Sequence, residues 1–192
     1  MSSLVSTVTQ GLALLTLAGQ LVVIIIGTAL LISRYYVTEN RITRWLRLVG
    51  ERGMMAAFVV TAGAMIFSFF YSELAGFSPC ALCWYQRIFM YPLVFVLGFG
   101  LIWRDSAAVR YGFILGSVGS LVAAYHTVLQ FNVATSLPCP AIGGSCAERF
   151  MFEYGYITIP MMSLTAFALV LVFLATAYIY DQPRANDRFS TR

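Results

Sequence analysis

Apolar residues gather into five long runs along this chain, at 11–32, 54–71, 84–103, 111–131 and 157–180, and the polar residues fall between them. At about 1.5 Å per residue, each run is long enough, or nearly so, to cross a hydrocarbon layer about 30 Å thick as a helix. Helices are the predicted form because lipid offers backbone N–H and C=O groups no outside partner. Composition sharpens this reading. Sixty per cent of the 192 residues are hydrophobic and 10% are charged, against roughly one quarter charged in soluble domains. A soluble core of this size has too little interior to hide that much apolar surface. The predicted class is therefore an all-α integral membrane protein with five spans. The first run is expected to be retained: no positive charge precedes it, its apolar stretch is long for a secretory signal, and no small-residue cleavage pattern follows. No stretch outside the runs is long enough for a second folded domain.

The charge is unevenly placed. All twelve basic residues are arginine. Arg34, Arg41, Arg44, Arg47 and Arg52 lie between the first two runs, Arg104 and Arg110 between the third and fourth, and Arg184, Arg188 and Arg192 after the last. Five alternating spans put all three segments on one side of the membrane, and arginine beside spans marks the cytoplasmic side. The N-terminus is then expected outside and the C-terminus inside. No basic, aromatic-interleaved domain is present, so nucleic acid is not an expected partner.

The segments 72–82 and 132–156 fall on the opposite side and hold or border all four cysteines, Cys80, Cys83, Cys139 and Cys146. Disulfides form and persist outside the cytoplasm, so topology and cysteine placement agree. The first pair reads Ser78-Pro79-Cys80-Ala81-Leu82-Cys83-Trp84-Tyr85-Gln86-Arg87. Proline suits a helix start, which places the pair at the positive end of a helix dipole, where a thiolate is favoured. Cys80, Cys83, Arg87 and Tyr91 share one helical face by spacing, and Arg87 one turn on favours the ionised thiol further. Two small buried hydrophobes are the plainer explanation. Trp84 rather than histidine after the second cysteine argues against a c-type haem, and structural zinc needs four converging ligands. The second pair, Cys139 and Cys146, brackets a Pro- and Gly-rich segment that reads as turns. A disulfide closing that loop could be a staple or an exchange site. Two pairs on one side of a membrane suggest a relay.

Two polar side chains lie within the runs. Arg87 sits about one turn into the third, where a snorkelling arginine is the bland expectation. His126, the single histidine, sits about 7 Å short of the end of the fourth, where a satisfied interfacial histidine is equally ordinary. Both come out at similar depth near Cys83, and both can donate to a quinone carbonyl. Trp84, Tyr85 and Tyr125 read as an interfacial aromatic belt.

Taken in order, four features resemble the DsbB family of quinone-dependent membrane oxidases. They are Cys80-Ala-Leu-Cys83-Trp-Tyr-Gln-Arg87 entering a span, His126-Thr-Val-Leu-Gln130 ending the next, Cys139 soon after, and Cys146-Ala-Glu-Arg149 before the last. The resemblance covers roughly 54–180 and implies a four-helix redox domain there. Residues 1–53 then form an extra N-terminal transmembrane helix with a basic cytoplasmic linker, and 181–192 a cytoplasmic tail. It implies catalytic roles for Cys80, Cys83, Cys139 and Cys146, with Arg87 and His126 beside a quinone, ubiquinone or menaquinone. The implied partner is a DsbA-type thioredoxin-fold thiol oxidase outside the cytoplasmic membrane of a bacterium. Electrons would pass from that partner to Cys139–Cys146, then to Cys80–Cys83, and finally to the quinone pool. A vitamin K epoxide reductase-like chain would carry its loop cysteines before the CxxC; here the CxxC comes first. Two features depart from the family pattern, a short Cys139–Cys146 loop and the additional first span. The competing expectations are a membrane structural protein with inert disulfides and a metal site without quinone.

Overall fold

A computed structural model describes residues 3–35, 41–131, 146 and 151–180. They form six α-helices: α1 (Ser3–Tyr35), α2 (Arg41–Glu51), α3 (Gly53–Phe69), α4 (Ala81–Trp103), α5 (Ala107–Phe131) and α6 (Ile159–Tyr180). Among the described residues extended pairing is limited to one antiparallel bridge, Glu153 with Ile157. Five helical segments are long and apolar enough to span a membrane, and they coincide with the five apolar runs. This is a multi-pass helical membrane bundle.

Its surface is apolar outside and tightly packed within. Leu21, Ile102 and Leu121 are 61–72% exposed, as lipid-facing residues must be, while hydroxyls along the helices bond back to carbonyls of the preceding turn, as Thr28 does to Ile24 at 2.7 Å. Helices α3, α4, α5 and α6 form a closed ring in which each touches both neighbours, and α1 and α2 pack on the α6 side. Leu93 and Leu97 from α4 meet Phe167, Val170 and Leu174 from α6 at the centre, all fully buried. Without a hydrophobic drive between helices in lipid, such contacts rest on close backbone approach at small residues. Gly119 shows it: any Cβ there would strike the Phe167 ring.

Two local features are absent from the sequence reading. Residues 41–51, expected as linker, are helical. Ile42, Leu46 and Val49 follow helical spacing and turn inward, whereas Arg41, Arg44 and Arg47 take other faces. Leu46 is fully buried, and Gly50 lets the helix approach α6 so closely that an added Cβ would lie 2.7 Å from the Thr176 carbonyl oxygen. Short, arginine-rich and amphipathic, α2 has the make-up of an interfacial helix. The second feature is a π-helical turn, Phe70–Leu74, that continues α3. It closes with Ala75 N–H on the Phe70 carbonyl and Phe77 N–H on Tyr71, both at 3.0 Å. The chain then runs to Cys80 with the rings of Tyr71 and Phe77 stacked, 5.9 Å apart.

Candidate active site

The CxxC pair begins α4. Cys80 is the N-cap residue, with φ −74° and ψ 170°, and its sulfur accepts the Cys83 N–H at 3.4 Å. That is the hydrogen bond a serine or aspartate cap makes to a free amide of the first turn. A sulfur in this position sees the positive end of the helix. The Cys80 and Cys83 thiols are both free, with sulfurs 3.1 Å apart. Cys80 is buried, 3% exposed, and the hydrogen bond from Cys83 lowers its pKa to about 4, helped by His126 and opposed by desolvation.

His126, 1% exposed, faces this pair from α5. Its Nε2 lies 3.1 Å from the carbonyl oxygen of Cys146 and 3.8 Å from the Cys80 sulfur. A carbonyl only accepts, so Nε2 carries the proton. Nδ1 is then the acceptor of the neutral ring, and the Gln86 side-chain amide donates to it at 2.8 Å. The ring thus touches both cysteine pairs at once. Cys146 is itself disulfide-bonded and buried. Cys139 lies outside the described residues.

Cys83 opens the other way. Between α1, α3, α4 and α6 lies a largely apolar cavity of about 460 Å³, and its wall includes Cys83, Gln86, Arg87, Ser68 and Tyr91. The Arg87 guanidinium donates to the Ser68 carbonyl at 3.1 Å and lies over the Trp84 ring, 5.2 Å from its centroid. Tyr91 completes the edge with a hydroxyl 3.2 Å from that of Ser68. Arg87 is thus held between the end of α3 and the first turn of α4.

The residues singled out in the sequence divide into two groups. Cys80, His126 and Cys146 converge on one side of the α4 start. Cys83, Arg87 and Tyr91 line the cavity on the other. Arg87 and His126, expected beside one quinone, have different contacts: Arg87 lines the cavity, and both His126 nitrogens are engaged by Gln86 and Cys146. Gln86 joins the groups, since it is 6% exposed, lines the cavity and holds His126. Sequence reasoning quoted Gln86 without giving it a role. Its signal was a buried-side amide three residues after Cys83, on the turn that carries Arg87.

The family profile "Disulfide bond formation protein DsbB" matches residues 51–177. The chain belongs to the DsbB family. It is 43% identical over 103 residues to the SPbeta prophage-derived disulfide bond formation protein B of Bacillus subtilis (strain 168), covering 54% of this chain and 70% of that protein. Over 143 residues it is 35% identical to the probable disulfide formation protein C 2 of Bacillus anthracis, covering 74% of this chain and all of that protein. Disulfide bond formation protein C of Bacillus subtilis (strain 168) is 36% identical over 122 residues, which are 63% of this chain and 88% of the relative. No solved structure matches it. Membership of the DsbB family assigns the chain a role in disulfide bond formation. Making a disulfide removes two electrons and two protons from a dithiol, so that role is oxidoreductive.

Proposed function

We propose that this protein is a thiol:quinone oxidoreductase that re-oxidises a DsbA-type thioredoxin-fold oxidase through two cysteine pairs. One observation carries the reading: the two sulfurs of the CxxC pair are 3.1 Å apart, and of the two residues only Cys83 borders the cavity. Cys80 turns to His126 and Cys146, while Cys83 lines the cavity with Arg87. A dithiol placed so can receive electrons from one side and release them on the other.

In this reading Cys139 and Cys146 form the disulfide that the partner's dithiol reduces. The partner leaves oxidised, and the Cys139/Cys146 dithiol then reduces a Cys80–Cys83 disulfide by exchange. Two electrons and two protons have then moved to Cys80 and Cys83. Exchange proceeds through thiolate attack, and the Cys80 environment favours the thiolate. Neutral His126, with its proton on Nε2, stabilises that charge from 3.8 Å while holding the Cys146 backbone.

The last acceptor is a quinone, which takes up two electrons and two protons to become a hydroquinone. DsbA-type proteins are themselves strong oxidants, near about −120 mV, so a stronger acceptor than another cysteine pair is required. The cavity fits such a molecule in chemistry and size. Its apolar wall suits an isoprenoid tail, Arg87 offers donors for a ring carbonyl, and about 460 Å³ lies within the usual range for small-molecule sites. The protein supplies placement and thiolate stabilisation, and the quinone supplies the potential.

The functional unit in this reading is residues 54–180, in a bacterial cytoplasmic membrane. The arginine-bearing segments face the cytoplasm, the N-terminus and cysteines face outward, and the C-terminus is inside. The test is catalytic oxidation of a reduced DsbA-type protein by the purified protein under anaerobic conditions. Multiple turnover is expected only when quinone is added, with one quinone consumed per partner disulfide formed. Turnover independent of quinone would exclude it as the acceptor.

A second reading is favoured by one feature. Sulfurs of Cys80 and Cys83 and a ring nitrogen of His126 lie within 4.8 Å of one another, a soft donor set that suits zinc or copper(I). Stoichiometric metal in purified protein, together with absent quinone turnover, would establish that alternative.

A further inference from the structure

Helix α1 lies outside the family-matched segment 51–177, yet it is built into the cavity beside Cys83. Leu12, Leu15 and Thr16 form part of the cavity wall. Polar pairs fix α1 on either side of these residues. Before them, Tyr71 OH bonds to Thr9 Oγ1 at 3.4 Å. After them, Gln20 accepts from Tyr156 OH at 2.7 Å and donates to Thr165 Oγ1 at 3.3 Å. Tyr71 and Thr165 line the cavity themselves, so the attachments are made at the rim of the same space. Thr9 is 1% exposed and Thr16 7%, so this face of α1 is packed against the bundle. Farther along, Tyr180 OH donates to Ser33 Oγ at 3.0 Å, tying α1 to α6 at the opposite end.

The wall that α1 contributes is apolar. The Thr16 hydroxyl donates to the Leu12 carbonyl at 2.8 Å and seeks no partner in the cavity. With the deeper residues Val59, Gly63 and Leu169 it makes a hydrocarbon-lined extension of the space that Cys83 and Arg87 border. A bundle of α3 to α6 alone would leave that side open to lipid.

We propose that α1 is a wall of the quinone site, in which Leu12, Leu15 and Thr16 hold the isoprenoid tail and thereby set which quinones the protein accepts. The inference rests on the quinone reading above. A long tail lies in lipid before it binds, so its affinity for the cavity rests on close van der Waals fit along a continuous apolar wall. A tailless benzoquinone needs only the polar end at Arg87 and Cys83. Helix α1 therefore acts on discrimination between the two, rather than on the thiol chemistry.

The test has two arms. In the first, the full-length protein in lipid nanodiscs is photolabelled with a benzoquinone bearing an azido-substituted isoprenyl tail, and the labelled peptide is identified by mass spectrometry. Label within residues 12–16, removed by excess unlabelled ubiquinone, is expected. Label confined to α3, α4 or α6, or label on α1 that unlabelled quinone does not displace, as in a lipid crevice, overturns the proposal while leaving the quinone reading intact. In the second arm, Leu12→Trp is compared with the unaltered protein. The ratio of KM for a long-tailed quinone to KM for tailless benzoquinone is expected to rise about tenfold, because the larger ring overfills the wall that the tail would occupy. An unchanged ratio counts against α1 as the tail-binding wall. If Leu12→Trp fails to fold, the photolabelling of the unaltered protein decides. Failure of the unaltered protein to reduce either quinone, while it still exchanges disulfides with its partner, removes the quinone reading and this proposal with it.

Discussion

Gln86 donates its side-chain amide to His126 Nδ1 at 2.8 Å, and both residues are buried. This bond fixes the ring so that its other nitrogen meets Cys80 and the Cys146 carbonyl. Since Gln86 also lines the cavity, one side chain bridges the His126 cluster and the cavity. Replacing it with leucine removes the orienting donor. Gln86→Leu is expected to slow alkylation of Cys80 by iodoacetamide at pH 6 about tenfold, the worth of one charge-assisted hydrogen bond. Gln86→Glu sets an acceptor against Nδ1 and draws a second proton onto the ring, so Cys80 is expected to react at least as fast as in the parent. An unchanged pH–rate profile in Gln86→Leu would show that His126 is oriented by other contacts.

The pH dependence of Cys80 follows from its cap position. Its folded pKa, about 4, lies below the ordinary thiol value of 9.0. A group depressed on folding stabilises the fold fully above its unfolded pKa, and that contribution is lost as pH falls through the folded pKa. The stability of the reduced protein relative to a Cys80→Ala variant is thus expected to rise as pH increases from about 4 to about 9 and to be flat with pH outside that window. Thermal unfolding of both in detergent at several pH values checks this. A difference that is flat with pH would place the Cys80 thiol near its ordinary pKa.

Arg87 tests the division between the two sides. It lines the cavity and bonds to Ser68 rather than to the His126 cluster. Arg87→Ala is expected to lower quinone turnover about tenfold to a hundredfold, while exchange with the partner falls much less. Parallel loss of both activities, measured in separate single-turnover assays, would mark Arg87 as structural.

In the proposed relay Cys139 is dispensable for the inner pair. Cys139→Ala is expected to abolish partner oxidation, while Cys80–Cys83 remains reducible by dithiothreitol. Partner oxidation at the normal rate in this variant would refute a two-pair relay.

Packing gives a prediction independent of chemistry. At Gly119 even a Cβ would collide with the Phe167 ring, itself fully buried in the bundle core. Gly119→Leu is expected to cost about 1–3 kcal/mol or more through overpacking, seen as a lower unfolding temperature in detergent. A variant as stable as the parent would mean that α5 and α6 can separate at little cost.

Much of this was legible in the residues. The five runs read as spans because lipid demands unbroken apolar helices, and they match five long helical segments. Proline before Cys80 signalled the helix start that makes Cys80 a cap. Helix α2 is hidden in the sequence because its apolar stripe, Ile42, Leu46 and Val49, is short and interleaved with arginines that also mark membrane orientation. The π-helical turn after Phe69 depends on how the α3 end packs and has no composition signal of its own. Depth along a helix brought Arg87 and His126 to one level, but depth does not fix azimuth. Gln86 and the Cys146 carbonyl hold His126 beside Cys80, and Ser68 and Trp84 hold Arg87 near the cavity. The role of α1 was equally hidden, since the cavity it lines exists only once four helices meet.

The most direct measurement starts from protein whose Cys80–Cys83 pair has been reduced, held without oxygen or partner, and mixed rapidly with quinone. The absorbance change is expected to report one quinone reduced for each Cys80/Cys83 dithiol, with a matching loss of two free thiols. Cys83→Ser is expected to reduce none. Stoichiometric quinone reduction by Cys83→Ser, or a native dithiol that stays reduced in excess quinone, would contradict the passage of electrons through Cys83 into the cavity.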